Sequence, residues 1–354
     1  MSVLFVVPYP PGEAASQRFR FEQYLPLLHR QGIPYRFSAF WSLSAWKILY
    51  QKGQGIRKAL GLLKGFAGRV LLLPQLFRYT HVFIHREATP LGPPWFEWLA
   101  AKVFRKKIIY DFDDAIWLAS TSGESSLATR FKWHRKVAGI CSWSYKVSCG
   151  NSYLQAFALR YNPAATVLPT TIDTVHLHNR LKVHKPGKVT IGWTGTHSTL
   201  PYLQLIEPVL LQLEQQFEFD FIVIADKQPR LQLKSWRYLP WRKETEVEDL
   251  LQLDIGLMPL PDTAWAKGKC AFKALQYMAL GIPAVVSGVG ANVAAVPHEV
   301  AGYLCYATAD WYTYLERLIL HPELRATLGA QGRAHVQQHY SVMANEAAFL
   351  DLFK

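Results

Sequence analysis

Short apolar runs alternate with longer segments of helical spacing along the whole chain. Apolar runs that end in Gly or Pro and are separated by amphipathic segments are typical of strands in a parallel sheet covered by helices. In the first half, the predicted strands are Val3–Pro8, Tyr35–Phe40, Val82–His85, Ile108–Asp111, Lys146–Cys149 and Thr166–Leu168. In the second half, they are Val189–Trp193, Phe219–Ala225, Asp254–Leu260 and Ala284–Ser287. The pattern predicts an α/β chain with two doubly wound, Rossmann-like domains.

The segments between these strands supply the predicted helices. Ser16 is placed to cap a helix that runs to about Gly32, and Gly281 is placed to end the helix before the last predicted strand. The predicted helices after the first are Ile56–Leu73, Pro93–Phe104, Asn151–Arg160, Pro201–Phe217, Glu244–Leu253 and Ala271–Leu280.

The length of 354 residues fits about two domains. Half of the residues are hydrophobic, which is enough for each domain to bury a hydrophobic core. Only 18% are charged, which argues against a disordered or coiled-coil chain. Pro186 and Gly187 mark a linker. We expect a first domain over residues 1–172, a hinge over 173–188 and a second domain over 189–340. A C-terminal helix at about 341–354 is expected to pack back on the first domain.

The cysteines and the N-terminus bear on the compartment. Four scattered cysteines without a Cys-x-x-Cys pair argue against a disulfide framework and a structural zinc site, and free thiols fit the cytoplasm. Residues Met1–Tyr9 predict a strand rather than a signal peptide. No stretch is expected to reach the roughly 18 apolar residues that span a bilayer.

The positive charge lies in one half of the chain. The net charge is +13, and residues 1–170 hold 22 basic and 8 acidic residues against 17 and 18 in the remainder. Ten basic residues and no acidic one lie between Glu22 and Glu87. A charge difference of this size indicates that the two halves meet different partners.

The acid-free stretch contains Trp41–Phe77, in which aromatic and aliphatic residues alternate with basic ones, Lys52 among them. Within it, Ile56–Leu73 has apolar residues at helical spacing. A basic amphipathic helix suits an anionic membrane surface. A packed helix with a solvated basic rim has the same pattern, and basic patches also bind nucleic acid. No nucleic-acid-binding module is visible, so we expect a membrane partner and no nucleic acid.

Two segments in the second half could bind an anion. The loop Gly192–Ser198 follows a predicted strand, and its Gly195 and Thr196 precede a helix, whose N–H groups and dipole favour phosphate. An ordinary capped turn would look the same. Further on, Lys269, Lys273 and Gln276 have spacings that place them on one face at the start of a helix. They suit a nucleotide diphosphate and a ribose hydroxyl, although a solvated basic face is the alternative.

The motifs together resemble a known family. The segment Asp254–Pro283, with Gly281–Ser287 and Gly290-Ala291-Asn292 after it, is similar to the sugar-nucleotide-binding half of retaining glycosyltransferases of family 4. In the first half, PYPPGEAASQRFR at residues 8–20 resembles the first glycine loop of that family. The segments HREATPLGPP at 85–94 and IIYDFDDAIW at 108–117 are similar to a bacterial branch that works on envelope polysaccharides, and TVLPTTID at 166–173 resembles the entry into the hinge.

The resemblance implies a GT-B fold, with two Rossmann-like domains facing a cleft. It implies transfer of a sugar from a UDP- or GDP-type donor to a glycan or a lipid-linked glycan, with retention of anomeric configuration. It implies that no metal or other cofactor is needed, since helix ends and basic side chains neutralise the departing diphosphate. The expected location is the cytoplasm, at the inner face of the cell membrane.

The resemblance also assigns the site. The catalytic residues would be Asp113 and Lys273, and Asp113 stands where many relatives have a histidine. The donor-binding residues would be Gly12, Arg18, Gly195, Thr196, Lys269, Lys273 and Gln276. The family has two glutamates seven residues apart, and here these positions hold Gly268 and Gln276. The amide of Gln276 can still bond a ribose hydroxyl.

Three alternatives stay open. The string Asp111, Asp113, Asp114 could bind a metal, as in glycosyltransferases of the GT-A type, or cap the following helix. The changes at Gly268 and Gln276 fit a sugar-nucleotide-binding homologue without activity. A basic nucleic-acid-binding protein is the alternative from another class.

Overall fold

A computed structural model describes residues 1–49, 51, 53–118 and 133–354. The chain divides into two compact units, Met1–Thr170 with Glu346–Lys354, and Thr171–Asn345. The last residues therefore belong to the first unit. There the ring of Phe349 stacks on Tyr24 with 4.3 Å between the ring centroids, and Arg30 pairs with Glu346.

The first unit contains a sheet of six strands in the order β2-β1-β3-β4-β5-β6. Its strands are β1 Val3–Val7, β2 Tyr35–Ala39, β3 His81–His85, β4 Lys107–Phe112, β5 Lys146–Cys149 and β6 Ala165–Val167. Each described pair of neighbours is parallel. Because β1 and β3 are buried along their whole length, the apolar runs of the sequence lie at the centre of the sheet.

The second unit repeats this plan with six parallel strands in the order β12-β11-β10-β7-β8-β9. Its strands are β7 Val189–Gly195, β8 Phe219–Ala225, β9 Trp236–Pro240, β10 Ile255–Met258, β11 Ala284–Ser287 and β12 Gly302–Cys305. The predicted α/β class with two doubly wound sheets is confirmed. All ten predicted strands are present, and β9 and β12 were missed. Strand β9 is an edge strand without a fully buried residue, so it lacks the apolar run that marks the others.

Helices lie between the strands of both sheets. In the first unit they are α1 Ala15–Arg18, α2 Leu25–Arg30, α3 Leu43–Leu49, α4 Gly55–Leu72, α5 Trp95–Trp98, α6 Lys136–Trp143, α7 Ser152–Ala158 and, near the C-terminus, Glu346–Asp351. In the second unit they are α8 Glu207–Leu213, α9 Glu246–Leu250, α10 Ala264–Lys267, α11 Phe272–Ala279, α12 Asn292–Ala295, α13 Thr308–Leu320 and α14 Pro322–His335. The last of all, Glu346–Asp351, is α15.

Several predicted helices are shorter or divided. The segment expected to run from Ser16 to Gly32 consists of α1, a 3₁₀ turn at Glu22–Tyr24 and α2. Ser16 does not cap it, because Ala14 occupies the N-cap position and makes no side-chain cap bond. The predicted end at Gly281 is confirmed, since this residue takes φ +72° and the N–H of Ile282 bonds back to Tyr277 O at 3.0 Å.

Helix α4 is held on the first unit by small residues, by one arginine and by the apolar side chains of Leu62, Phe66 and Leu72. A Cβ atom on Gly65 would lie 2.5 Å from the ring of Phe40, so the helix approaches that ring more closely than any larger residue allows. Arg69 is buried and donates to Val7 O at 2.9 Å, Ala88 O at 2.7 Å and Ser38 Oγ at 2.8 Å. The inner face of α4 therefore rests on the loops and strands at one edge of the sheet.

Two glycines of α4 form a matched test of this packing. Gly65→Ala places a methyl group against the Phe40 ring, and overpacking of this kind costs about 1–3 kcal/mol. Gly68→Ala meets nothing within 4 Å and should stabilise the helix by roughly 0.5–1 kcal/mol. Thermal unfolding should therefore shift down for the first variant and up for the second. Equal shifts would contradict the packing of α4 on Phe40.

Candidate functional site

A buried ion pair organises the carboxyl edge of the first sheet. Asp111 near the end of β4 pairs with Arg20, which also donates to Ser148 Oγ at 3.1 Å and to Leu168 O. Ser148 Oγ donates to Asp111 Oδ1 at 2.7 Å, and His85 Nδ1 lies 2.8 Å from Asp111 Oδ2. The pair therefore ties the first loop of the chain to the ends of β3, β4, β5 and β6.

The environment of Asp111 explains its ionisation. Burial alone would raise the pKa of this carboxyl, but Arg20 and the hydrogen bond from His85 lower it far below its usual value. Both carboxylate oxygens are occupied by Arg20, Ser148 and His85. This occupation argues against a metal at Asp111, and no group of three or more His, Cys, Asp or Glu side chains among the described residues could hold a metal ion.

Asp113 and Asp114 follow β4 and share one cation. Arg86 Nε donates to Asp113 Oδ1 at 2.7 Å, and Arg86 Nη2 donates to Asp114 Oδ2 at 2.7 Å. Burial alone would raise the pKa of Asp113, and the Arg86 charge lowers it below its usual value. Arg86 is fixed in turn, because its backbone has φ +58° and its N–H bonds Asp111 O at 2.7 Å. The arrangement holds the Asp113 carboxylate ionised at the edge of the sheet.

The first glycine loop is closed by two side chains. Gly12 has φ +79°, and its N–H donates to Glu22 Oε2 at 2.8 Å. Gln17 pairs with the backbone of Tyr9 in both directions, at 2.9 and 3.1 Å, and also bonds Glu22. Burial raises the pKa of Glu22. Arg18 is half-buried on α1 with its guanidinium 5.0 Å from the Phe19 ring centroid.

In the second unit, the loop after β7 is built around an aromatic ring. A Cβ atom on Gly195 would lie 2.3 Å from the ring of Trp193 and 2.8 Å from Thr199 Oγ1. Thr196 is exposed, and its N–H faces Thr199 Oγ1 at 3.3 Å. His197 next to it bonds Asp226, after β8, through both its N–H and its ring. Gly195 is thus required by packing, whatever ligand the loop binds.

Helix α11 brings Lys273 to this loop. The Lys273 ammonium lies 5.5 Å from the centroid of the Trp193 ring, and Tyr277 OH accepts from the N–H of Thr194 at 3.0 Å. Lys273 and the Gly195–Thr196 loop are therefore neighbours. Gln276 on the same helix is buried, with its amide 3.5 Å from His178 Nε2.

One expectation for this helix is wrong. The spacing of Lys269 and Lys273 predicts one helical face for both, but α11 begins at Phe272, after Ala271 at φ +54°. Lys269 lies in the turn before it, and its ammonium is 5.1 Å from the Trp265 ring centroid. Gly268, at the position of the family's first glutamate, is the C-cap of α10.

Sequence reasoning missed the partners that fix the candidates. Arg86, Glu22 and Asp226 were not singled out, although each bonds a predicted residue or its neighbour. Arg86 follows β3, and the acidic residues Asp113 and Asp114 follow β4. If β3 and β4 are known to be neighbours, these groups are expected to lie close together, and Arg86 could have been found in this way. Adjacency of strands is not readable from spacing alone.

The buried pair is tested by its pH dependence. Because folding lowers the pKa of Asp111, its contribution is present above about pH 4 and is lost as the pH falls further. Asp111→Asn leaves Arg20 buried without its counter-ion, which costs about 3–5 kcal/mol. Unfolding of this variant should therefore be easier at pH 7 and less pH-dependent in acid. Asp220→Asn, on an exposed pair with Lys188, is the control, and an equal loss in both would contradict this account.

Known proteins match the whole chain in structure, whereas the match in sequence covers only part of it. No family model matches. A stretch of 83 residues is 39% identical to D-inositol 3-phosphate glycosyltransferase of Saccharomonospora viridis. That stretch is 23% of this chain and 19% of the relative, so the chain matches about a fifth of the length of that protein.

Solved structures match nearly end to end. Sucrose-phosphate synthase from Thermosynechococcus elongatus has a TM-score of 0.73 at 14% identity, covering 99% of this chain and 98% of that one. A glycosyltransferase from Rickettsia africae has a TM-score of 0.70 at 11% identity, covering 100% and 97%. The Anabaena HepE protein, in complex with UDP and glucose, has a TM-score of 0.67 at 13% identity, covering 99% and 98%. With its two parallel six-stranded sheets, the chain has the two-domain GT-B fold of glycosyltransferases.

Proposed function

We propose that the protein is a glycosyltransferase that transfers a sugar from a nucleotide-diphosphate donor to a glycan or a lipid-linked glycan. The donor is of UDP or GDP type, and the anomeric configuration is retained, as in family 4 and its bacterial envelope-polysaccharide branch. The proposed location is the cytoplasm, at the inner face of the cell membrane. The solved glycosyltransferases with this fold and the 83-residue match support the proposal.

The observation that carries the proposal is the position of Lys273. Its ammonium sits at the first turn of α11, beside the Gly195–Thr196 loop and over the Trp193 ring. A cation at a helix N-terminus next to a glycine loop is suited to a diphosphate, because charge, N–H donors and close backbone approach coincide. Lys269, Gln276, Gly12 and Arg18 are proposed as further donor-binding residues.

The proposed reaction needs no dedicated base. The bond between the anomeric carbon and the phosphate oxygen breaks, and the acceptor oxygen bonds the same face of the sugar. The proton of the acceptor hydroxyl passes to the departing phosphate. Lys273 stabilises the negative charge that develops on that phosphate.

Asp113 is proposed to bind a sugar hydroxyl. Arg86 lowers the pKa of this carboxyl, so Asp113 is ionised at neutral pH and accepts hydrogen bonds without donating a proton. This property fits orientation of a sugar better than general acid catalysis. The same ion pair with Arg86 keeps the carboxylate in place before the substrate binds.

The first experiment compares two lysines of the second unit. Lys273→Ala should weaken binding of UDP or GDP by about 10- to 150-fold, which is the loss of a charge-assisted hydrogen bond of roughly 1.5–3 kcal/mol. Lys188→Ala is the control, since Lys188 precedes β7 at its opposite end and pairs with Asp220. Calorimetric titration with each nucleotide gives the affinities. Equal affinities in the two variants would remove Lys273 from the site, and a wild-type protein that binds neither nucleotide would overturn the donor class.

The second experiment concerns metals. We expect donor turnover to persist in excess EDTA, because the proposal assigns charge neutralisation to Lys273 and the helix terminus. Release of nucleoside diphosphate with and without EDTA measures it. If EDTA abolishes turnover and Mn²⁺ restores it, the alternative of a metal bound by Asp111, Asp113 and Asp114 is favoured. If the protein binds the donor without turnover in any condition, the alternative of a sugar-nucleotide-binding homologue without activity is favoured.

A further inference from the structure

Helix α4 carries a row of apolar residues on its outer face. Ile56, Leu63 and Val70 are 80%, 65% and 55% exposed, and they recur every seven residues, which is two helical turns. Leu60 and Leu71 are 52% and 69% exposed on the same side. We call these five residues the outer stripe. It extends about 21 Å from Ile56 to Val70 at 1.5 Å per residue.

The inner face of the same helix combines glycines, one arginine and apolar side chains, since Leu62 and Phe66 pack on the cluster around Phe40 and Leu72 is buried. Gly65 admits the Phe40 ring, and Gly61 approaches Ala45, whose Cβ would be 3.0 Å from an added Cβ. Arg69 makes its bonds to Val7, Ser38 and Ala88 from this face. Helix α4 is thus apolar on its outer face as well as its inner one, whereas a surface helix of a soluble domain has a polar outer face. An exposed apolar stripe of this length marks an interaction surface.

The charges beside the outer stripe are all of one sign. Arg57 and Lys64 lie next to it on the helix, and residues 23–86 contain no acidic residue. The helix continues into a 3₁₀ turn in which Phe77 is 76% exposed. Phe77 contacts Phe104 at 5.2 Å between ring centroids and lies under Lys106 at 5.9 Å, in a segment at residues 98–110 that also lacks acidic residues.

Within the described residues, one segment, Gly55–Arg78, is long and apolar enough to cross a membrane by length and composition. The expectation that no such stretch exists is therefore wrong. The hydrogen bonds of Arg69 nevertheless favour a helix that stays on the domain. Insertion across the bilayer would remove the Arg69 guanidinium from three backbone carbonyls and place it in hydrocarbon.

We propose that the outer stripe inserts into the surface of an anionic lipid bilayer while the inner face of α4 stays packed on the first unit. The proposal deepens the membrane location given above and rests on that part of the proposed function. Apolar side chains would enter the acyl boundary, and Arg57, Lys64 and Lys106 would meet the anionic headgroups. A second copy of the chain is disfavoured as the occupant, because a two-fold interface would bring these like charges together.

Docking in this way has a consequence for the acceptor. Arg69 bonds Val7, the last residue of β1, and Ala88, just after β3. Helix α4 therefore packs at the carboxyl edge of the first sheet, the edge that also carries Asp113. A bilayer bound by the outer stripe would present lipid-linked glycans on the same side of the unit as that carboxylate.

The test separates apolar insertion from charge. The variant Ile56→Gln/Leu63→Gln/Val70→Gln keeps every charge and removes three exposed apolar side chains. The control Leu205→Gln/Val300→Gln/Leu320→Gln changes three similarly exposed apolar residues of the second unit. Both are compared with wild type by co-sedimentation with phosphatidylcholine vesicles that contain about 30% phosphatidylglycerol, in roughly 0.1 M salt.

We expect the stripe variant to lose at least about tenfold in vesicle affinity, and the control to bind as wild type does. Leu63→Gln alone should show a smaller loss in the same direction, which keeps the test valid if the triple variant folds poorly. The proposal is overturned if wild type does not sediment with these vesicles, or if the stripe variant sediments equally well. It is also overturned if light scattering shows a dimer that the stripe variant dissociates.

Nucleotide binding distinguishes this failure from failure of the proposed function. Thermal stabilisation by UDP and GDP is measured on the same preparations. Stabilisation without vesicle binding rejects the docking surface and leaves the donor proposal standing. Vesicle binding that depends on the outer stripe, without stabilisation by either nucleotide, supports the docking surface and rejects the donor class.

Discussion

The first unit depends on the pairing of Arg20 with Asp111. A guanidinium and a carboxylate with almost no solvent exposure are stable only when each satisfies the charge of the other and the remaining polar atoms find partners. Here Ser148, His85 and the Leu168 carbonyl complete the set. Since these groups come from four strand ends and the first loop, the ion pair fixes the edge on which Asp113 and Gly12 lie.

The need of buried charges for partners also changes the interpretation of the excess of basic residues in the first half of the chain. Arg20 and Arg69 are buried, and Lys136, also buried, pairs with Glu87 and donates to Thr89 O at 2.8 Å. Arg86 is committed to two carboxylates. The charge pattern of the sequence predicts that the basic surplus binds a partner. Part of that positive charge instead lies on buried or paired residues that stabilise the first unit. The exposed basic residues that remain include those beside the outer stripe of α4 and in the segment that contacts its end.

The sequence predicts the strands well because burial on both faces leaves a mostly apolar run, as in β8 and β11, whose predicted bounds are those observed. It predicts local contacts poorly where the presence of a residue can be explained either by ligand binding or by packing. Gly195 suits a phosphate, yet the Trp193 ring already requires it. Lys269 and Lys273 have helical spacing, yet Ala271 adopts a left-handed conformation between them and the helix starts later. Arg86 could be joined to Asp113 only once β3 and β4 were known to be neighbours.

Helix α4 shows why periodicity cannot assign a buried face. Its apolar residues repeat at helical spacing, and that repeat is equally compatible with contact to the core or to lipid. The face is decided by Gly61 and Gly65, which let the backbone approach the first unit, and by Arg69, which finds backbone carbonyls there. The apolar residues of α4 are therefore divided, with Leu62, Phe66 and Leu72 on the inner side and the five residues of the outer stripe exposed. The surface that results is apolar, bordered by cations and placed at the edge of the sheet where the Asp113 carboxylate is held.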